Sequence, residues 1–187
     1  MLSSIYIGIF LIIFSPLFTL LAKRERKWLF PISITSIFLS LSVLLFIAYI
    51  LDDGFALSMS WLFFVVFLTI AAVFDLPVIL RHRSKTGFVI ITLFAISLFA
   101  FHFIDFSPVK PFKRFYNSIQ IGMTKKEVAV ALHQEFPDGG RFPVPVPFEN
   151  TNHFGFMLDP NKGEYNAEDV FVMLQDGRVA SKTYSPD

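Results

Sequence analysis

The sequence predicts an all-α membrane part, a four-helix transmembrane bundle, followed by a small α+β domain in which two helices pack on an antiparallel sheet of about three strands. Three observations predict it. Residues 1–104 hold four long apolar runs, residues 105–187 are polar and rich in turn residues, and the stiff stretch Ser107-Pro108-Val109-Lys110-Pro111 stands between them. The chain of 187 residues is 54% hydrophobic, against about 45–50% in soluble domains, and the excess lies in the first part. The expected division is a transmembrane domain over 1–105, a spacer over 106–111 and an α+β domain over 112–187.

The first apolar run, 4–22, reaches about 28 Å as a helix, close to the ~30 Å of a hydrocarbon core. No basic residue precedes it and no Ala-x-Ala site follows it, so it reads as a membrane helix rather than a secretory signal. The second run, 28–51, opens on Trp28 and has Tyr49 near its end, where interfacial aromatics belong. Ser33, Ser36 and Ser40 share one face of it. They make either a polar track or a seam of small side chains for close helix packing. The third run, 55–80, contains Asp75, the acid inside a hydrophobic run. Such an acid is a candidate functional group; its other reading is an interfacial pair with Arg81 or His82. The fourth run, 86–104, ends on His102, with Asp105 three residues on and so on the same helical face. That pair suits a proton or metal site, or an interfacial hydrogen bond, though two ligands are too few for a metal centre.

Lys23-Arg24-Glu25-Arg26-Lys27 and Arg81-His82-Arg83-Ser84-Lys85 are basic connections, while Asp52-Asp53-Gly54 between them is acidic. The positive-inside rule places both basic loops in the cytoplasm. The chain is then expected in the inner (plasma) membrane as a multi-pass protein, with both termini and the C-terminal domain outside the cytoplasm.

Residues 1–104 carry seven Lys/Arg and four Asp/Glu, net +3, and residues 105–187 carry nine and eleven, net −2. Neither part shows the clustered basic face of a nucleic-acid binder. With no cysteine, disulfides, thiol catalysis, iron–sulfur clusters and a cysteine-linked lipid are excluded.

In the second part, Phe112, Phe115, Tyr116 and Ile119 recur at helical spacing and predict a first short helix. Thr124 and Glu127 stand in capping-box spacing, with Met123 and Val128 at the staple positions and Gly122 free to turn just before them. Val128, Ala131, Leu132 and Phe136 then form one apolar stripe, so a second helix is expected over about 125–135, closed by Pro137-Asp138-Gly139-Gly140. Phe142 to Phe148 carries proline at every second position, which suits an edge strand or a polyproline segment. Residues 153–158 make a strand candidate and Asp159 to Gly163 a turn. Residues 169–175 alternate Val170, Val172 and Leu174 against Phe171 and Met173. Asp176-Gly177 signals a hairpin whose return strand is 178–184.

The string 121–132, Ile-Gly-Met-Thr-Lys-Lys-Glu-Val-(x3)-Leu, then Pro137 and the strand–Asp-Gly–strand of 170–179, resembles the SmpA/OmlA (BamE-like) domain. The resemblance covers about 112–184. It implies a helical pair packed on an antiparallel sheet, similar in fold to the β-lactamase inhibitory proteins, and an extracytoplasmic, non-catalytic, protein-binding domain of the bacterial envelope.

No phosphate loop, metalloprotease motif, nucleophile elbow or Cys/His cluster occurs, and the four histidines are scattered. Glu164, Glu168 and Asp169 could hold a cation, or form a solvated turn. No enzyme activity and no cofactor are expected. The expected role is an envelope scaffold or accessory factor whose partners are the lipid bilayer and another protein, bound through an aromatic surface of Phe142, Phe148, Phe154 and Phe156. Two rival readings are a small transporter or membrane enzyme that uses Asp75, His102 and Asp105, and a membrane sensor.

Overall fold

The computed structural model describes Pro16, residues 29–150, 153–158 and 168–185. The rest of the 4–22 run, the basic stretch 23–27, Trp28, the 159–163 turn and Glu164 lie outside the described residues. The chain forms two compact units, one ending at Ile104 and the other running from Asp105 to the C-terminus, with Gly54–Ala56 grouped with the latter.

In the first unit α1 is Leu29–Phe55. It runs through Asp52-Asp53-Gly54, so the expected acidic loop is the last turn of a helix. The chain reverses instead at Ala56, which has a positive φ of 49°, followed by a short 3-10 turn, Leu57–Met59. Ser60 then caps α2, Trp61–Phe74, by accepting from the Leu62 N–H, which is why the third helix starts later than its apolar run. Asp75 separates α2 from α3, Leu76–His82, and Pro77 stands in the first turn of α3, where a missing N–H is tolerated. Arg83, in the left-handed region, ends α3. Ser84 caps α4, Lys85–Ala100, by accepting from Gly87 N–H at 2.9 Å. A Cβ at Gly87 would meet Ile79 at 2.8 Å, so glycine is what lets α3 and α4 approach there. The buried core of this unit joins Ile37, Leu41, Leu44 and Ala48 of α1 to Phe63, Phe64 and Phe67 of α2 and to Phe94 and Leu98 of α4.

Among the described residues, two helical stretches are long and apolar enough to cross a membrane, Pro31–Phe55 and Trp61–His82. The fourth expected span is shorter than its apolar run. Its helix has 16 residues, about 24 Å, before the chain tightens into turns at Phe101–Phe103.

The second unit is α+β. Helix α5, Val109–Ser118, begins inside the stretch expected as a spacer. Pro111 falls in its first turn, where the ring costs no hydrogen bond. Helix α6 is Lys125–Glu135 with the full capping box. Thr124 accepts from the Glu127 N–H, and the Glu127 carboxylate accepts from the Thr124 N–H at 2.7 Å. Among the described residues the sheet has four antiparallel strands, one more than expected: β1 Val146–Asn150, β2 His153–Met157, β3 Asp169–Gln175 and β4 Arg178–Ser185, in spatial order β1-β2-β3-β4. The extra strand is the end of the proline-rich segment. It sits at an edge, the place a strand containing Pro147 can occupy, because its missing donor can face away from the ladder. Asp176 and Gly177 both have positive φ and form the two-residue turn between β3 and β4, matching strand twist.

The inner face of the sheet packs on both helices. Phe154, Phe156, Val170, Val172 and Val179 share one buried core with Phe112, Phe115, Val128, Leu132 and Phe136. The α5–α6 connection covers part of the β4 edge. Gly122 N–H donates to the Val179 carbonyl and Val179 N–H to the Met123 carbonyl, both at 2.8 Å, and Gly122 needs its φ of 91° to make that turn. Farther along β4, inward-pointing Lys182 donates from Nζ to the carbonyls of Tyr116 and Ile119 at 2.7 Å each. It thereby satisfies orphan carbonyls at the end of α5.

Candidate functional site

The helical unit holds two buried polar groups of different character. The first is Asp75. Its side chain is fully buried, and among the described residues neither carboxylate oxygen has a hydrogen-bond partner. The expected interfacial pair with Arg81 or His82 is not formed. Those residues lie six and seven positions on, about 9–10 Å along the helix axis, beyond the three- or four-residue spacing at which side chains on one helix meet. The Ser40 hydroxyl on α1 faces the carboxyl, outside good hydrogen-bonding geometry. Ser33, Ser36 and Ser40 are all buried in the same stripe as Ile37, Leu41 and Leu44, so the serines form the packing seam of α1, as small residues do between membrane helices.

The second group ties the end of α1 to the end of α4. Asp52 is buried and accepts from Ser58 N–H at 2.9 Å. Ser58 Oγ donates to the Phe101 carbonyl at 3.0 Å. His102 Nδ1 lies 2.9 Å from the Ser58 carbonyl, which can only accept, so the proton is on Nδ1. Trp61 stacks on the imidazole at 5.9 Å. Every link satisfies a backbone group left over where a helix ends, which makes this a structural clasp.

In the α+β unit Asp105 receives both terminal nitrogens of Arg114 at 2.8 Å, and Arg114 Nε donates to Glu135 at 2.8 Å. The bidentate contact holds the Asp105 carboxyl below the usual carboxylate range and raises the guanidinium above its own. His102 and Asp105, expected as a pair, thus each bond within their own unit. Hydrogen bonds from the Thr124 backbone and hydroxyl hold Glu127 low, and burial lowers Lys182. The Tyr184 hydroxyl donates to the buried Glu168 carboxylate, so Glu168 is occupied in the fold rather than set out for a cation. No group of three or more potential metal ligands occurs among the described residues.

The four phenylalanines expected to form a binding surface separate into two sets. Phe154 and Phe156 are 4% and 6% exposed and belong to the core; strand alternation points them inward, toward α5 and α6. Phe142 is partly buried against that core. Phe148 points the other way. It pairs with Gly155, which pairs with Phe171, and its ring lies over the glycine to meet Phe171 edge-on at 5.4 Å. The outer face therefore carries a row Phe148–Gly155–Phe171, flanked by Val146 and Met173, which are 46% and 41% exposed. Sequence reasoning singled out Phe148 but not Phe171 or Met173, although the 169–175 alternation already placed those two opposite the core valines.

Comparison of the chain with protein-family models, with curated proteins and with solved structures finds no match.

Proposed function

We propose that this chain is an integral membrane protein that presents a small extracytoplasmic α+β domain, and that the domain binds another envelope protein through the outer face of its sheet, without catalysis. The observation that carries the binding reading is the outer row itself. Phe171, Val146 and Met173 are exposed and Phe148 is half-buried beside them, while the inner face is packed into the core with both helices. Exposed aromatic and methionine clusters of this kind are enriched at protein interfaces. Both edges of the sheet are poor docking places: Pro147 removes a donor from β1, and the α5–α6 connection occupies part of β4. A partner is therefore expected to meet the face rather than extend the ladder. The order of a helical pair followed by an antiparallel sheet is in keeping with the SmpA/OmlA-like reading.

The membrane reading is supported by the outward sides of the helices. Phe38, Phe46, Leu62, Val65, Leu93 and Ile96 are exposed, and an apolar surface of that extent suits contact with lipid. The two basic connections support an orientation with the α+β domain outside the cytoplasm.

Photo-crosslinking in native membranes tests the binding reading. A crosslinker at position 171 should give one reproducible protein adduct, and a crosslinker at the buried position 154 should give none. Phe148→Ser/Phe171→Ser should abolish the adduct formed from a crosslinker at 173 while leaving the thermal unfolding of the protein unchanged. Equal labelling from 154 and 171, or unfolding of the double variant, would assign these rings to the core and end the proposal.

A further inference from the structure

We infer that Asp75 is a proton-binding site at the break between α2 and α3, with Ser40 of α1 as its hydrogen-bonding companion. The carboxyl is wholly buried, and among the described residues both its oxygens lack partners. An ionised carboxylate in such a place must be compensated by a bound cation or neutralised. The groups on the elements packed around it supply no compensation. α1 contributes the hydroxyls of Ser33, Ser36 and Ser40, α3 carries Arg81 and His82 almost two turns away, and Lys85 stands exposed at the first position of α4. The Ser40 hydroxyl is the polar group that faces the carboxyl, and among the described residues no charged side chain bonds to either of its oxygens.

The donor set decides what is bound. Two carboxyl oxygens and one hydroxyl are too few for a hard metal ion, which takes about six oxygens. A proton needs a single oxygen. Taking one up converts the carboxylate to a neutral acid whose O–H can donate to the Ser40 hydroxyl, with no other bond made or broken. The backbone is suited to respond. α2 ends at Phe74 and α3 begins at Leu76, and Pro77 has no N–H to offer the Val73 carbonyl, so the helix is weakest at this acid. Proton release would leave a charge against the Ser33–Ser36–Ser40 seam and loosen α1 from the junction. The site thereby links proton occupancy to the packing of α1. Acids inside membrane helices serve proton relays in this manner.

The test is infrared spectroscopy of the full-length protein in lipid vesicles, with pH varied first and sodium then exchanged for potassium at fixed pH. The pH-difference spectrum should contain a carboxylic acid C=O component that is lost in Asp75→Asn and shifted in frequency in Ser40→Ala. The component should not respond when sodium replaces potassium. A spectrum unchanged by Asp75→Asn, or a component that follows sodium instead of pH, would overturn the assignment. Should Asp75→Asn fail to fold, Ser40→Ala decides alone: an unshifted component removes Ser40 from the site and refutes it.

Discussion

Gly155 offers the sharpest test of how the α+β unit is packed. It lies in β2, opposite Phe148 of β1 and Phe171 of β3. A Cβ added there would stand 2.4 Å from the Val170 carbonyl oxygen and 2.4 Å from Phe148 Cζ. The two contacts differ in kind. The Phe148 ring can swing aside, at the cost of its edge-on contact with Phe171. The carbonyl cannot, because β3 is held in register on both sides by β2 and β4. Gly155→Ala must therefore push the strands apart locally, and overpacking of this sort costs about 1–3 kcal/mol. At about 1.4 kcal/mol per tenfold change, backbone amides of β3 that open by unfolding of this unit should exchange roughly 5–150 times faster. Hydrogen exchange read by mass spectrometry on the full-length protein measures it. Gly54→Ala is the control, since no atom lies within 4 Å of the added carbon. Phe148→Ala/Gly155→Ala should recover only part of the loss, because the carbonyl contact remains. Unchanged β3 exchange in Gly155→Ala would show that β2 and β3 are not paired as described.

Thr124→Ala should destabilise the α+β unit by about 0.5–2 kcal/mol, because an amide at the start of α6 loses its acceptor; unaltered exchange of the first α6 amides would place the helix start elsewhere. Asp105 and Glu127 both titrate below their ordinary values in the folded chain. Their stabilisation is therefore fully present above the unfolded values of about 3.9 and 4.3 and is lost as the pH falls through the lower folded values. The urea midpoint of this unit should drop in that acid range and drop less in Arg114→Met; a midpoint independent of pH would remove the Asp105–Arg114 contact from the balance. Lys182→Met should fray the end of α5, seen as faster exchange at Tyr116–Ile119, since the Tyr116 and Ile119 carbonyls lose their donor. A C-terminal alkaline phosphatase fusion should be active if the basic connections face the cytoplasm, and a silent phosphatase with a bright fluorescent fusion at the same end would invert the orientation.

The sequence by itself determined the features whose cause is local. The capping box of Thr124 and Glu127, the Asp176-Gly177 hairpin turn, the stripe of Val128, Ala131, Leu132 and Phe136 and the apolarity of the long helices are each written within a few residues, and each is present in the fold. Tertiary structure decided whatever depended on a residue far along the chain. Asp52 is helical because Ser58 N–H meets its carboxylate and the reversal can wait for Ala56. Val109–Pro111 join α5 because Phe112 and Phe115 already commit that segment to the core. Phe148 and Phe154, both aromatic and only six residues apart, went to opposite faces because the register of β1 on β2, and of β2 on β3, fixes which side each sees. Asp75 lost the partners its neighbours promised, because Arg81 and His82 stand almost two turns farther along the helix, while the Ser40 hydroxyl of α1 faces the carboxyl. Composition and spacing state what a side chain can do; the packing of distant segments states which groups it meets.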